Sequence, residues 1–580
     1  MRKLYASIGL VLTLAVPAAH AQTPAWTGAV QPTNPTPTND TGALGIGLFI
    51  DATGNQYLTG ALQNGGGSGA PTTRVFGTTT LSGGTGLASG FVAKLSPTQQ
   101  WLWAVKATCN GEGVAFRKST VSPAGDTYAS GGVQDDALVS PNGGTTVTVG
   151  SFTYLTTSAT ATFVTRLNAS GQPQWLAGAL GGVIMAQGWD AAAGNLVVVG
   201  AYGGTIRFGT TTLTAAPAGG IFVARLDASG QWISALNMVP TGTTSTSQLQ
   251  LYSCAVGPQG QVGVNFRLRG GQVTLGSTSV SSSGSTDRKL VVAQLSPAGA
   301  WQWATVTASD NAYYSNNMQY DPNGNLWLLA DAASTPVQFG TTTVSNGEEF
   351  VGRLAAATGQ WGPVGIIGLA GGSGPGYATS LAVDAQGNAV IAGNLQGAKT
   401  FGTTTLTPVA SNSGNDQFVA RYGAGGQWQF AQLSPTAAAN SSYSFQAIAL
   451  DAVGSLFATG LLLGNATFGA STLTNPSTNG SNVFVAKLSN AGVLSVRQSA
   501  GVAPLAVFPN PATASTGATL RLPVALASAQ SVTLRDALGR VAVRATVPAG
   551  QQELALPTAG LTPGLYLVEA GLSRAQVVVE

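Results

Sequence analysis

The run Phe222-Val-Ala-Arg-Leu226, closed by Asp227-Ala-Ser-Gly230 and followed by Trp232, decides how this chain is read. In an extended strand Phe222, Ala224 and Leu226 face one way, and Val223 and Arg225 face the other. An Asp opening a turn accepts a backbone hydrogen bond from two residues on, and the Gly takes a left-handed conformation that a side chain resists. The stretch is therefore strand, turn, aromatic strand. It recurs in the same order as Phe91-Val-Ala-Lys-Leu95, Phe163-Val-Thr-Arg-Leu167, Leu290-Val-Val-Ala-Gln-Leu295, Phe350-Val-Gly-Arg-Leu354, Phe418-Val-Ala-Arg-Tyr422 and Phe484-Val-Ala-Lys-Leu488.

Working outward, each copy is preceded by two further markers. One is a turn of the Asp-x-x-Gly-Asn kind, with its Gly at 54, 125, 194, 260, 324, 387 and 454. Its first position is Asp51, Asp190, Asp321, Asp384 or Asp451, with Ser122 and Gly257 in the remaining copies. The other marker is an apolar residue and Gly before alternating Thr or Ser, as at Phe76-Gly77, Phe208-Gly209, Phe339-Gly340, Phe401-Gly402 and Phe468-Gly469. The turn glycines give a period of about 67 residues, and a constant order of markers at a constant period identifies a repeat architecture. Trp101, Trp103, Trp175, Trp232, Trp301, Trp303, Trp361 and Trp428 all follow the second turn, a placement that suits packing between sheets.

Four short antiparallel strands per repeat predict an all-β fold, a seven-bladed β-propeller over 22–500, because radial packing of sheets leaves only short protected edges. The seventh repeat ends without its Trp, whereas the N-terminal stretch Pro24-Ala-Trp26 carries an unattached copy. We expect the segment around Trp26 to complete the last sheet and latch the ring.

Composition agrees. The 580 residues include 79 Gly, 8% charged residues and a single histidine, His20. Residues 1–21 follow the pattern of a Sec signal peptide: Arg2 and Lys3, an apolar stretch, then Ala19-His20-Ala21 before Gln22, with cleavage expected between Ala21 and Gln22. Its removal takes away the only histidine, and with it any Ser-His-Asp relay or imidazole zinc site. Taking Arg2 and Lys3 from the 24 basic residues leaves 22 against 21 acidic ones, with no basic stripe, so no nucleic acid is expected as a partner. Cys109 and Cys254 occupy non-equivalent positions, which favours two buried thiols over a disulfide.

Asp135-Asp136 and Glu348-Glu349 are adjacent carboxylates, but neighbours on a strand face opposite ways, and both pairs read as solvated loop charge rather than an acid/base dyad. The repeated turn Asp residues read as turn caps rather than calcium ligands. No catalytic, metal-binding or cofactor-binding residue is assigned, and no cofactor is expected.

Beyond Val496 the composition changes. After a linker at 497–503, residues 501–580 carry Phe508-Pro509-Asn510-Pro511, Asp536-Ala-Leu-Gly539-Arg540 and Gly564-Leu-Tyr566, with short alternating strands between turns that predict a small Ig-like β-sandwich.

Two resemblances rest on these motifs. The repeats, over about residues 40–500 by the period already given, resemble the bacterial secreted propeller repeats called SBBP repeats, which implies an extracellular or surface protein without catalytic activity. The C-terminal segment resembles the type A sorting domain of the type IX (Por) secretion system of Bacteroidota. That resemblance gives Phe508, Pro509, Asn510, Pro511, Asp536, Gly539, Arg540, Gly564 and Tyr566 the role of a sorting signal. It implies the Sec translocon and the type IX machinery as partners, and release or lipopolysaccharide anchoring at the outer-membrane cell surface after the domain is removed. The tail Arg574-Ala-Gln-Val-Val-Val-Glu580 departs from the family in its acidic end. The expected function is a secreted or surface-displayed binding or adhesion module for a glycan or protein. The alternatives are a polysaccharide hydrolase or lyase with carboxylates in the propeller channel, and a structural surface-layer or matrix component.

Overall fold

The computed structural model of the protein describes residues 24–489 and 505–580, apart from 38–39, 64–70, 85–87, 112, 135–143, 158–159, 285–286, 308–312, 333–335, 370–377, 410–415, 436, 438–440, 478–479, 514, 516, 523–527, 537–539 and 571–572. The leader with Ala21 and Gln22, the linker at 497–503, Asp135, Asp136 and Gly539 lie outside the described residues. The chain divides into two compact units, residues 1–493 and 494–580, and the described structure is all-β.

The first unit is built from four-stranded antiparallel sheets, numbered I to VII here, each ordered first, second, third, fourth strand. The first strands are Ala43–Ile50, Gly113–Val121, Val183–Asp190, Gln248–Val256, Tyr313–Tyr320, Ala378–Val383 and Ser442–Leu450. The second strands, after the Asp-Gly turn, are Gln56–Gln63, Thr127–Gln134, Asn195–Tyr202, Val262–Arg269, Leu326–Ala332, Ala389–Leu395 and Leu456–Leu463. The third are Ala88–Leu95, Ala161–Leu167, Gly220–Leu226, Arg288–Leu295, Glu349–Leu354, Asp416–Tyr422 and Asn482–Ser489, which hold the Phe-Val-Ala-Lys-Leu runs. The fourth strands of sheets I to VI are Trp101–Cys109, Pro173–Leu180, Trp232–Met238, Trp301–Thr307, Trp361–Leu369 and Trp428–Leu433.

Sheet VII takes its fourth strand from the other end of the unit. Ala25–Val30 pairs antiparallel with Asn482–Ser489, with Trp26 opposite Leu488 and Val30 opposite Val485. Every first strand also touches the first strand of the next sheet, and Ser442–Leu450 touches Ala43–Ile50, so these contacts run in a closed circuit. The third strands are almost wholly buried, with Phe91, Phe163, Phe222, Phe350, Phe418 and Phe484 inaccessible to water.

The Phe-Gly-Thr marker is a hairpin between second and third strands, for example Thr73–Phe76 with Thr79–Ser82, and in sheets II, III and VI it also pairs with the fourth strand of the preceding sheet. Gly77 turns it at φ 62°, where any side chain would be strained. The hairpin's aromatic residue meets the fourth-strand Trp of its own sheet edge to face: Phe76 with Trp101 at 4.9 Å, Phe208 with Trp232 at 4.7 Å and Phe401 with Trp428 at 5.1 Å. Trp26 meets Phe468 in the same way at 5.1 Å, so the N-terminal strand supplies the tryptophan that sheet VII lacks. A second set of tryptophans joins neighbouring sheets: the indoles of Trp103, Trp175 and Trp303 donate to the carbonyls of Ala169, Ala228 and Ala356 in the next sheet's turn.

The second unit holds a three-stranded sheet, Ala506–Phe508, Ala518–Arg521 and Glu553–Leu556, and a four-stranded one in the order Val541–Val547, Gln530–Arg535, Gly564–Ala570, Ser573–Val579. Leu520, Leu534, Leu556, Val568 and Val577 are among the residues of a core of its own.

Candidate functional site

The repeated turn acids come first, because they are the carboxylates the sequence places at equivalent positions. Asp51 Oδ1 accepts the backbone N–H of Thr53 and Asn55, at 2.9 and 3.0 Å. Burial pushes this carboxyl up, but the bonds from Asn55, Thr53 and Tyr57 outweigh it and hold the pKa below the usual value. Asp321 and Asp384 cap their turns identically. The turn-cap reading thus describes their geometry, and among the described residues no group of Asp, Glu, Cys or His could hold a metal ion.

Sequence reasoning missed the partner of these acids. The basic residue of the third-strand run reaches the turn of its own sheet: Arg225 to Asp190 at 3.0 Å, Arg166 to Asp126 at 2.8 Å, and Arg421 to Asp384 with both side chains about 1% exposed. Lys94 and Lys487 lie over the rings of Tyr57 and Phe457 instead. The signal was present, since the fourth residue of the run is Lys or Arg in all copies but the one with Gln294.

Glu348-Glu349 is corrected in one half. Glu348 is at the surface, but Glu349 opens the third strand of sheet V, is 3% exposed and binds Lys399 of the next hairpin at 2.8 Å. Strand alternation turned one carboxylate outward and the other into the seam. Burial raises the Glu349 pKa against the pull of Lys399. Burial, then the Glu349 charge, pushes nearby Asp331 up to about 6. An equivalent seam pair is Arg74 with Asp40, 2.7 Å apart and both inaccessible, where Arg74 also donates to Asn482 Oδ1 of sheet VII at 2.8 Å.

The circuit of first strands is the other candidate. Each first strand skips one residue of register against its second strand, at Ile46, Arg117, Met185, Tyr252, Asn316, Thr379 and Gln446. Such bulges re-aim a side chain. On these strands the sequence places one carboxylate, Asp190 at a strand end, and two cations, Arg117 and Lys118. Lys118 is exposed to water, yet burial lowers its pKa, with Cys254 of sheet IV raising it and Arg117 lowering it further. Cys109 and Cys254 are buried and in no disulfide among the described residues, and burial pushes Cys254 up to about 12.

Sheet IV departs from the repeat. In five sheets a second-strand Gly lies opposite the third-strand Phe, as Gly60 opposite Phe91 and Gly200 opposite Phe222. In sheet IV, where Val262 opposes Leu295 as Leu196 opposes Leu226 in sheet III, the equivalent pair is Phe266 opposite Val291. Arg267 donates to Gln250 Oε1 at 2.7 Å and lies over the Tyr252 ring.

In the second unit, the residues expected to form a sorting signal fall into two groups. Asn510 is sewn to the final strand, donating to the Gln576 carbonyl and accepting from Val578 N–H, both at 2.9 Å. Pro509 and Pro511 flank it, each after a cis peptide bond. Phe508 is half-exposed beneath the Arg521 guanidinium. Gly564 pairs with Val579 of the same final strand, and buried Tyr566 donates to the Thr562 carbonyl at 2.8 Å. Asp536 and Arg540 form a separate exposed turn, with Arg540 Nε 2.7 Å from the carboxylate.

No family model matches the chain, and no curated protein matches its sequence. Among solved structures, the Dos1 propeller is similar at a TM-score of 0.36 and 7% identity, over 80% of this chain and 94% of that one. The C-terminal WD40 domain of Sif2 is similar at 0.33 and 6%, over 79% and 98%. PorZ, a surface component of the type IX secretion system of Porphyromonas gingivalis, gives 0.13 and 8%, over 95% and 100%.

Proposed function

We propose that the protein is a secreted or surface-displayed binding module: a seven-bladed β-propeller of SBBP-type repeats, exported through Sec and the type IX secretion system by an Ig-like sorting domain. The observation that carries the propeller reading is the closed circuit of first-strand contacts, with the N-terminal strand as the last fourth strand. The sandwich reading is supported by two sheets over one core and by the hydroxyl of Tyr566, bonded to backbone just upstream in the manner of a tyrosine corner. The export reading is supported by the motif residues Asn510 and Gly564, which both engage the final strand. After export, removal of the sorting domain leaves the ring released or anchored through lipopolysaccharide.

Binding is favoured over catalysis by where the acids are used. A glycoside hydrolase needs two carboxylates converging across its substrate. The first strands supply only Asp190, which Arg225 and the turn N–H groups engage. The test is a glycan-array and pull-down screen of the mature chain. A saturable ligand, glycan or protein, that is bound and left chemically unchanged is expected. No enriched ligand would favour the structural-matrix alternative, and cleavage of a bound glycan would restore the enzyme.

A further inference from the structure

We propose that the circuit of first strands holds an acidic glycan by the carboxylate of a uronic acid, on Arg117 and Lys118. The inference rests on the binding-module reading and names its ligand class.

Consecutive side chains on a regular strand face opposite ways, so two adjacent cations do not ordinarily serve one ligand. The register shift between Phe116 and Lys118 removes that constraint, because the bulged Arg117 is opposed by no residue of its own. Neither side chain has a counter-ion: among the described residues no carboxylate forms an ion pair with either, and the buried Arg117 Nε meets no acceptor. A guanidinium nitrogen buried without an acceptor is costly, and an anion entering beside Arg117 and Lys118 relieves that cost. The planar guanidinium favours a carboxylate, which it grips with two parallel bonds. The other exposed groups on these strands, among the described residues, are the amides of Gln248, Gln250, Gln319 and Gln446, the hydroxyl of Thr379 and the apolar Val183, and Arg267 holds the Gln250 carbonyl so that its amide N–H groups remain as donors. Amides and hydroxyls suit the hydroxyls of a sugar ring.

The experiment is calorimetric titration of the mature chain with short oligogalacturonates, neutral maltooligosaccharides and inorganic sulfate. Saturable binding of the oligogalacturonates alone is expected, weakened by added salt. Lys118→Gln and Arg117→Gln should each lower the affinity about tenfold or more. Arg207→Gln, which removes an exposed hairpin cation, should leave it unchanged, and circular dichroism should confirm that each variant folds. Equal affinity in Lys118→Gln, or equal binding of sulfate or of the neutral oligosaccharide, would overturn the proposal. Capture of a neutral glycan or a protein, with no oligogalacturonate binding, overturns this inference and leaves the module reading standing. Capture of nothing overturns both.

Discussion

Asp331 illustrates how much one position depends on the seam around it. Its pKa is raised to about 6 by burial and by Glu349, so between the ordinary carboxylate value and 6 the folded state holds more protons than the unfolded chain. Stability therefore falls as pH rises through that window. Allowing for the partial exposure of the group, Asp331→Asn should remove about 1–2 kcal/mol of that decline. Melting temperatures of the two proteins at pH 4 and pH 7.5 check it: the variant should gain on the wild type as pH rises, and parallel curves would refute the assignment. Nothing in the sequence revealed this coupling. Glu349 reads as half of a solvated pair until the neighbouring hairpin is known to deliver Lys399, a residue 50 positions away.

At the scale of elements, the N-terminal strand was legible because Trp26 stood outside the repeats while the seventh repeat lacked its Trp. What was not legible is the polar clamp that holds the strand's exit. Asp40 accepts from Arg74, Asn34, Thr72 and the Gly42 N–H, and Asn482 Nδ2 donates to the Pro32 carbonyl. These residues belong to the N-terminal segment, sheet I and sheet VII, and no local pattern joins them. Asp40→Asn leaves Arg74 buried without its counter-charge, which should cost about 3–5 kcal/mol in chemical denaturation. By contrast Glu553→Gln, at the exposed pair with Arg521, should cost under about 1 kcal/mol. Equal small losses would mean that the clamp does not hold the ring closed. The Phe-Gly-Thr marker was recognised as a repeat feature but not as a hairpin, since its strands are only three to five residues long, too short for alternation to stand out.

At the scale of the whole molecule, the period of the markers set the order of the strands, because the first six repeats each carry a complete meander and the seventh lacks only the strand that Ala25–Val30 supplies. The candidate site was less legible. Arg117 and Lys118 stand out only once the first strands are known to neighbour one another in a circuit. The second unit has its own sheets and core, which the proposed export role requires of a separable domain. The most direct measurement is therefore fractionation of cells that produce the chain without residues 505–580. The account predicts a folded, protease-resistant ring retained in the periplasm, while the full chain reaches the surface or medium. Normal appearance of the shortened chain outside the cell would contradict it.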